Sequence, residues 1–131
     1  MGDGLLLEKA KIYLKKKDIK NVFLLGNQTD IFNYLYESEL FLSTSLYEGH
    51  PISILEAMSI GLPILASKVT GNIDTIKSDF SGFFYRLGDI KQASYLIEKI
   101  MNNNSLKLNF SNNSFFTHRK LFNTNKMKDS Y

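Results

Sequence analysis

The sequence predicts an α/β fold, a parallel sheet with helices on both faces, and three observations carry that prediction. Apolar runs of four to six residues recur along the chain. Stretches of about ten residues, with apolar side chains three and four positions apart, separate those runs. Glycine and polar turn residues mark the junctions. Strands alternating with helices in this way pair in parallel, because each helix returns the chain to the same end of the sheet.

Each element follows from its own pattern. Leu6, Ala10, Tyr13 and Leu14 fall on one helical face, with lysines filling much of the other. "NVFLLG" (21–26) is an apolar run closed by glycine and suits a strand buried on both faces. "DIFNYLYES" places Ile31, Tyr34, Leu35 and Ser38 on one helical face, with Asp30 positioned to cap it. "ELFLSTS" reads as a strand. Pro51 suits the first position of the next helix, where a missing N–H costs nothing. Gly61 suits the C′ position, with Pro63 blocking continuation, so this helix is predicted over 51–60. "PILAS" and "GFFYRL" read as further strands. "DIKQASYLIEKIMNN" follows with Ala93, Leu96, Ile97, Ile100 and Met101 in one stripe.

The ends differ from the middle. "GDG" at residues 2–4 reads as the turn after a strand, yet no such strand precedes it, so the chain reads as a piece of something longer. The expected organisation is one α/β domain over residues 2–104, then a polar link and helical tail over 105–131. The tail is rich in Asn, Ser and Lys, and the helix within it is expected around 116–131.

Composition narrows the function classes. The 131 residues suffice for one compact domain. There is no cysteine, which removes disulfides, thiolate nucleophiles and Cys-ligated zinc together. The two histidines, His50 and His118, lie far apart, so neither a metal centre nor another cofactor is expected. No run of about 18 apolar residues reads as a membrane span. Residues 1–20 carry six Lys against three acids and residues 107–131 five Lys or Arg against one acid. The middle, 21–106, carries five cations against nine acids. Basic ends of this kind touch nucleic acid or anionic lipid in some proteins, but the lysines lack interleaved aromatics, so no nucleic-acid partner is expected.

The chemistry concentrates in "SLYEGHPISILEAMSIGLPILAS", residues 45–67. Ligands of open parallel sheets bind beyond the carboxyl ends of the strands, where loops lead into helices. Glu48 lies in such a loop and Glu56 on the second turn of the helix that follows. The N–H groups around His50, Ile52 and Ser53 form a helix start, which attracts phosphate. Two readings fit these residues. Glu48 and Glu56 accept sugar and ribose hydroxyls on either side of a bound phosphate; or Glu48 stabilises the helix dipole and Glu56 is a solvated surface acid.

A resemblance bears on that choice. "LYEGHPISILEAMSIGLPILASKVTG" resembles the donor-site signature of the family-four glycosyltransferases, enzymes of the GT-B fold. In that signature a glutamate and a second one eight positions on precede Ala-Met, Gly-Leu-Pro and a strand; here these are Glu48, Glu56, Ala57-Met58, Gly61-Leu62-Pro63 and "ILAS". "GDG", "VFLLG", "ELFLSTS", "VTGNIDTI" and "SGFFYRLGD" agree in order, so the resemblance covers about residues 2–102. It implies a Rossmann-like domain, the partial C-terminal half of a GT-B fold lacking its first strand or strands.

The resemblance also implies roles. Glu48 and Glu56 become the candidate catalytic acids, Glu48 on the transferred sugar and Glu56 on the ribose. The backbone around Gly49, His50, Pro51, Ile52 and Ser53 would take the diphosphate and sugar. Gly26 and Asn27 would lie beside the base, and Gly2 and Gly4 would shape the cleft floor. The implied partners are a UDP- or GDP-sugar donor, a saccharide or lipid-linked acceptor, and an N-terminal acceptor domain missing from this sequence. Transfer would retain anomeric configuration, without metal, in bacterial polysaccharide, capsule or lipopolysaccharide synthesis at the cytoplasmic side of a membrane. This chain alone is expected to be inactive.

Some positions depart from the family. The Arg and Lys that hold the diphosphate have no counterpart, and Lys68 and Lys77 lie outside that pattern. Asn72 stands where the family has a second glycine. The other function class that fits is a non-catalytic nucleotide-binding or interaction module derived from the same fold; an epimerase of the same architecture fits less well. Tyr47, Met58 and Phe84 read as packing residues, His50 as a loop residue lining the site. The basic ends would also allow peripheral membrane contact, and an uncovered sheet edge self-association.

Overall fold

The computed structural model of the chain describes residues 4–121. They form two compact units divided at Asn33 and Tyr34. The first holds one helix, α1 (Leu7–Lys16), and an irregular segment over 19–31. Its predicted apolar face is not a core face: α1 has no buried residue, and Leu6 and Tyr13 are exposed. Residues 22–26 form no strand, and Gly26 closes the run with φ +65°. An apolar run supplies side chains for a sheet, but a strand exists only through a ladder with a neighbour; Phe23 is 78% exposed.

The second unit carries the predicted sheet. Helix α2 (Phe32–Tyr36) leads into it and buries Leu35; Asn33 donates from its side chain to the Asp30 carboxylate just ahead, at 2.8 Å. Three strands follow, β1 (Phe41–Ser43), β2 (Ile64–Ser67) and β3 (Gly82–Tyr85), all parallel in the order β1-β2-β3. Ser43 pairs with Ala66, and Ser67 with Tyr85, so β2 and β3 end together and β1 one position before them. Helices α3 (Ile52–Ser59) and α4 (Thr70–Thr75) connect them, α5 (Ile90–Met101) follows β3, and α6 (Asn104–Leu121) closes the unit.

All four residues of β2 are buried. Successive strand side chains point to opposite faces, so both faces of the sheet are covered. On one face Leu65, Phe83 and Tyr85 pack with Leu96 and Ile100 of α5 and Phe110 of α6. Phe83 and Phe110 meet edge to face, 4.9 Å between ring centroids. Asp89 caps α5 by accepting from the Gln92 N–H at 2.9 Å, which satisfies one of the first-turn donors. Residues 105–115, expected as a polar link, are helical. Their apolar members Leu106 and Phe110 fall four apart and pack on the core, which outweighs the low helix preference of the intervening Asn and Ser. The part of the expected tail helix beyond 121 lies outside the described residues.

Helix α3 is bounded much as predicted. Pro51 is the cap, one position earlier than expected, and is fully buried. At the other end Gly61 has φ +78°, its N–H donates to Met58 O and the Leu62 N–H to Ala57 O, both at 3.0 Å. This is a Schellman ending, which satisfies carbonyls the helix leaves open and turns the chain toward β2.

Candidate functional site

The loop 44–51 leaves the carboxyl end of β1 and carries Glu48 to the start of α3. Its conformation is fixed by hydrogen bonds from neighbouring elements rather than by its own turns. The Tyr85 hydroxyl, at the end of β3, donates to Ser43 O at 3.1 Å. The Ser67 hydroxyl, at the end of β2, donates to Ser45 O at 2.7 Å. The Gly71 N–H, in α4, donates to Glu48 O at 3.1 Å. Carbonyls 43, 45 and 48 are thus each held by a different element.

The Glu48 side chain is held as well. Ser45 Oγ donates to Glu48 Oε1 at 2.6 Å, within the range of a charge-assisted bond. Ser45 has one hydroxyl hydrogen and spends it there, so Ser43 Oγ is the donor in the 3.4 Å contact between the two serines. Glu48 is part-buried, with Oε2 left as an acceptor.

Asn72 backs this arrangement. It is fully buried, and its Nδ2 donates to Ser67 O at 2.9 Å, while its Oδ1 has no partner among the described residues. Burial raises the Tyr85 phenol above its ordinary range. Tyr85 therefore remains a neutral donor throughout the neutral pH range.

The structure sorts the sequence-predicted residues as follows. Gly49 and His50 are exposed in the loop, with the Gly49 Cα side facing the Tyr47 hydroxyl. Tyr47 is not a packing residue: it is 79% exposed, because its loop position has no element over it in this unit. Met58 is core, fully buried. The Ile52 N–H is not open to a ligand, because it donates to His50 O at 2.9 Å. Among the described residues the N–H groups of Gly49, His50 and Ser53 have no such backbone acceptor. Glu56 is part-buried on α3, one turn beyond Ser53 and Ile52, and on the face away from the buried Ile54, Ala57 and Met58. Its carboxylate makes no hydrogen bond or ion pair among the described residues.

Gly4, Gly26 and Asn27 belong to the first unit, where Gly26 has φ +65° and is part-buried and Asn27 and Gly4 are exposed. Gly2 lies outside the described residues. Lys68 and Arg86, one residue past β2 and β3, line a groove of about 840 Å³ with Lys77, Ile73, Leu87 and Gln92. Sequence reasoning missed Ser45, Ser67 and Tyr85; Ser67 and Tyr85 had one signal, the hydroxyl residue that ends their strands, and Ser45, in the loop after β1, had none.

This arrangement can hold a polyhydroxylated anion. Exposed N–H groups at a helix start favour a phosphate. Carboxylates before and beyond them accept hydroxyl hydrogens but repel phosphate, so each is suited to the neutral part of such a ligand.

Comparison with known proteins gives the chain its family. The model of the family "Glycosyl transferases group 1" matches residues 1–115. An Escherichia coli UDP-Gal:alpha-D-GlcNAc-diphosphoundecaprenol alpha-1,3-galactosyltransferase is 43% identical over 93 residues, 69% of this chain and 24% of its own length. The Staphylococcus aureus capsular polysaccharide biosynthesis glycosyltransferase CapM is 30% identical over 101 residues, 77% of this chain and 27% of its own. A TarM variant from S. aureus, solved with fondaparinux, alpha-GlcNAc-glycerol and UDP, superposes with a TM-score of 0.91 at 27% identity, over 98% of this chain and 26% of that one. The chain spans about a quarter of the length of these relatives. Its parallel sheet is that of the GT-B glycosyltransferase domains it matches, and the chain belongs to the group 1 glycosyl transferases.

Proposed function

We propose that this chain is the donor-binding half of a retaining glycosyltransferase that moves a sugar from a nucleotide sugar to a saccharide or lipid-linked acceptor in bacterial polysaccharide assembly. The observation that carries this reading is the placement of Glu48, fixed by Ser45 with one oxygen left over, ahead of the open N–H groups of Gly49, His50 and Ser53. Residues 2–104 are the nucleotide-sugar-binding region in this reading. The UDP in the TarM complex and the UDP-Gal donor in the name of the E. coli relative support a uridine nucleotide.

In the reaction the bond from the anomeric carbon to the diphosphate oxygen breaks, and the acceptor oxygen bonds to that carbon on the same face. The acceptor's proton passes to the departing phosphate. Glu48 grips a hydroxyl of the sugar, and Glu56 the ribose. The helix-start N–H groups stabilise charge as it grows on the diphosphate. A carboxylate already bonded to Ser45 is a weaker nucleophile than a free one, which supports a clamp over a covalent role. The acceptor is bound by a region outside this chain, and the isolated chain binds donor without transferring it.

Glu48→Ala tests this assignment. By calorimetry on the 131-residue chain it should weaken UDP-galactose by about tenfold or more and UDP by less than about twofold, the loss of one charge-assisted hydrogen bond to the sugar alone. Equal losses for both ligands would remove Glu48 from the sugar.

A further inference from the structure

We infer that Ser45, Ser67 and Tyr85 are positioning residues that hold Glu48 in one rotamer, so that the sugar meets a carboxylate already aimed. This rests on the sugar-clamp reading of Glu48 for its consequence, though not for its geometry.

The contacts form a connected path. Tyr85 and Ser67 pair in register at the last position of their strands and share a face of the sheet. From there the Tyr85 hydroxyl reaches past β2 to Ser43 O, and Ser67 Oγ reaches Ser45 O. These bonds span 42 and 22 residues of sequence, so they fasten the loop to the sheet rather than closing a local turn. With its carbonyl fixed, Ser45 presents its hydroxyl to Glu48 Oε1 at 2.6 Å. The Gly71 N–H holds the Glu48 carbonyl from the opposite element. Asn72 keeps Ser67 in place by donating to its carbonyl.

The consequence is selectivity. A glutamate has three side-chain torsions, and a free one spreads over several rotamers. Held at Oε1, it offers Oε2 from one place, and ordering it costs nothing when the ligand binds. The hydroxyl that meets Oε2 must then lie at one position of the sugar ring.

The test measures the rotamer and the ligand separately. Three-bond side-chain couplings in the labelled chain report the Glu48 χ1 distribution by NMR. Wild type and Ser45→Thr, which keeps the hydroxyl, should show one dominant rotamer. Ser45→Ala should show averaging, and Ser67→Ala and Tyr85→Phe partial averaging. Averaging already present in wild type, or one rotamer persisting in Ser45→Ala, overturns the inference. Calorimetry then gives the ligand arm: Ser45→Ala should weaken UDP-galactose by about fivefold, UDP by less than twofold, with Ser45→Thr near wild type. Rotamers released without that split would leave the mount standing and overturn the clamp reading of Glu48 instead. The unfolding temperature of Ser45→Ala, expected within a few degrees of wild type, separates both results from a folding defect.

Discussion

Gly71→Ala is expected to lower the unfolding temperature by on the order of 10 °C and to abolish sugar selectivity in the molecules that remain folded. A Cβ at this position would overlap Glu48 O, lie 2.8 Å from the Glu48 carbonyl carbon and 3.0 Å from its Cβ. The obstacle is mainly backbone, which has no rotamer into which to retreat. Either α4 moves away from the loop or the loop moves away from α4. The first breaks the Gly71 N–H bond to Glu48 O, and the second displaces the carboxylate itself. Gly71 is buried, so the strain has no solvent-side escape. Thermal denaturation followed by circular dichroism reads the first effect, and calorimetry with UDP-galactose and UDP the second. Gly49→Ala is the control, since its Cβ meets no heavy atom closer than 3.9 Å.

Glu56→Ala should carry the larger effect on nucleotide affinity. Its part-buried carboxylate lies beyond the open helix start, with no intramolecular bond among the described residues to lose. Removing it costs the fold little, within about 0.5 kcal/mol, because Ile54, Ala57 and Met58 supply the buried face of α3. If it grips two ribose hydroxyls, its loss weakens UDP and UDP-galactose alike, by about a hundredfold. The two glutamates therefore differ in kind: Glu48→Ala separates the two ligands, and Glu56→Ala does not. Glu56→Gln, which keeps an acceptor without the charge, should recover part of the affinity. Unchanged UDP binding by calorimetry in Glu56→Ala would sink the ribose assignment.

The sheet was legible because its signals are local. "LFLS", "ILAS" and "GFFY" are short, apolar and bounded by turn residues, and each became a parallel strand. Gly61 announced its cap through residue type alone, and the stripe of α5 buried Leu96 and Ile100 as its spacing required. The misreadings share a physical origin. "VFLL" has the composition of a strand, but a strand also needs a neighbour, and no composition supplies one. Leu6 and Tyr13 make an apolar face on α1 that stays exposed, since spacing marks a face and not what covers it. Over 105–115 the Asn and Ser content suggested a link, whereas burial of Phe110 decides for a helix.

The candidate site was legible in a different proportion. Glu48, Glu56 and the helix start between them stand in one continuous motif. The hydroxyl mount does not, because its bonds join residues 22 and 42 positions apart and leave no period in the sequence. Asn72 shows how a departure from a family pattern can be informative. A side chain at a position where the family has glycine is accommodated by full burial, and its amide fastens Ser67. At Ile52 the N–H that the sequence offered to a ligand is consumed by His50 O.

The central claim is that Glu48 and Glu56 are two separate grips on one ligand, with its diphosphate at the start of α3 between them. A crystal structure of the 131-residue chain soaked with UDP-galactose tests it most directly. The account predicts the Glu48 carboxylate within hydrogen-bond distance of a galactose hydroxyl, Glu56 on the ribose, and phosphate oxygens on the N–H groups of Gly49, His50 or Ser53. A nucleotide sugar bound with both glutamates on the same group, or bound away from the start of α3, would contradict it.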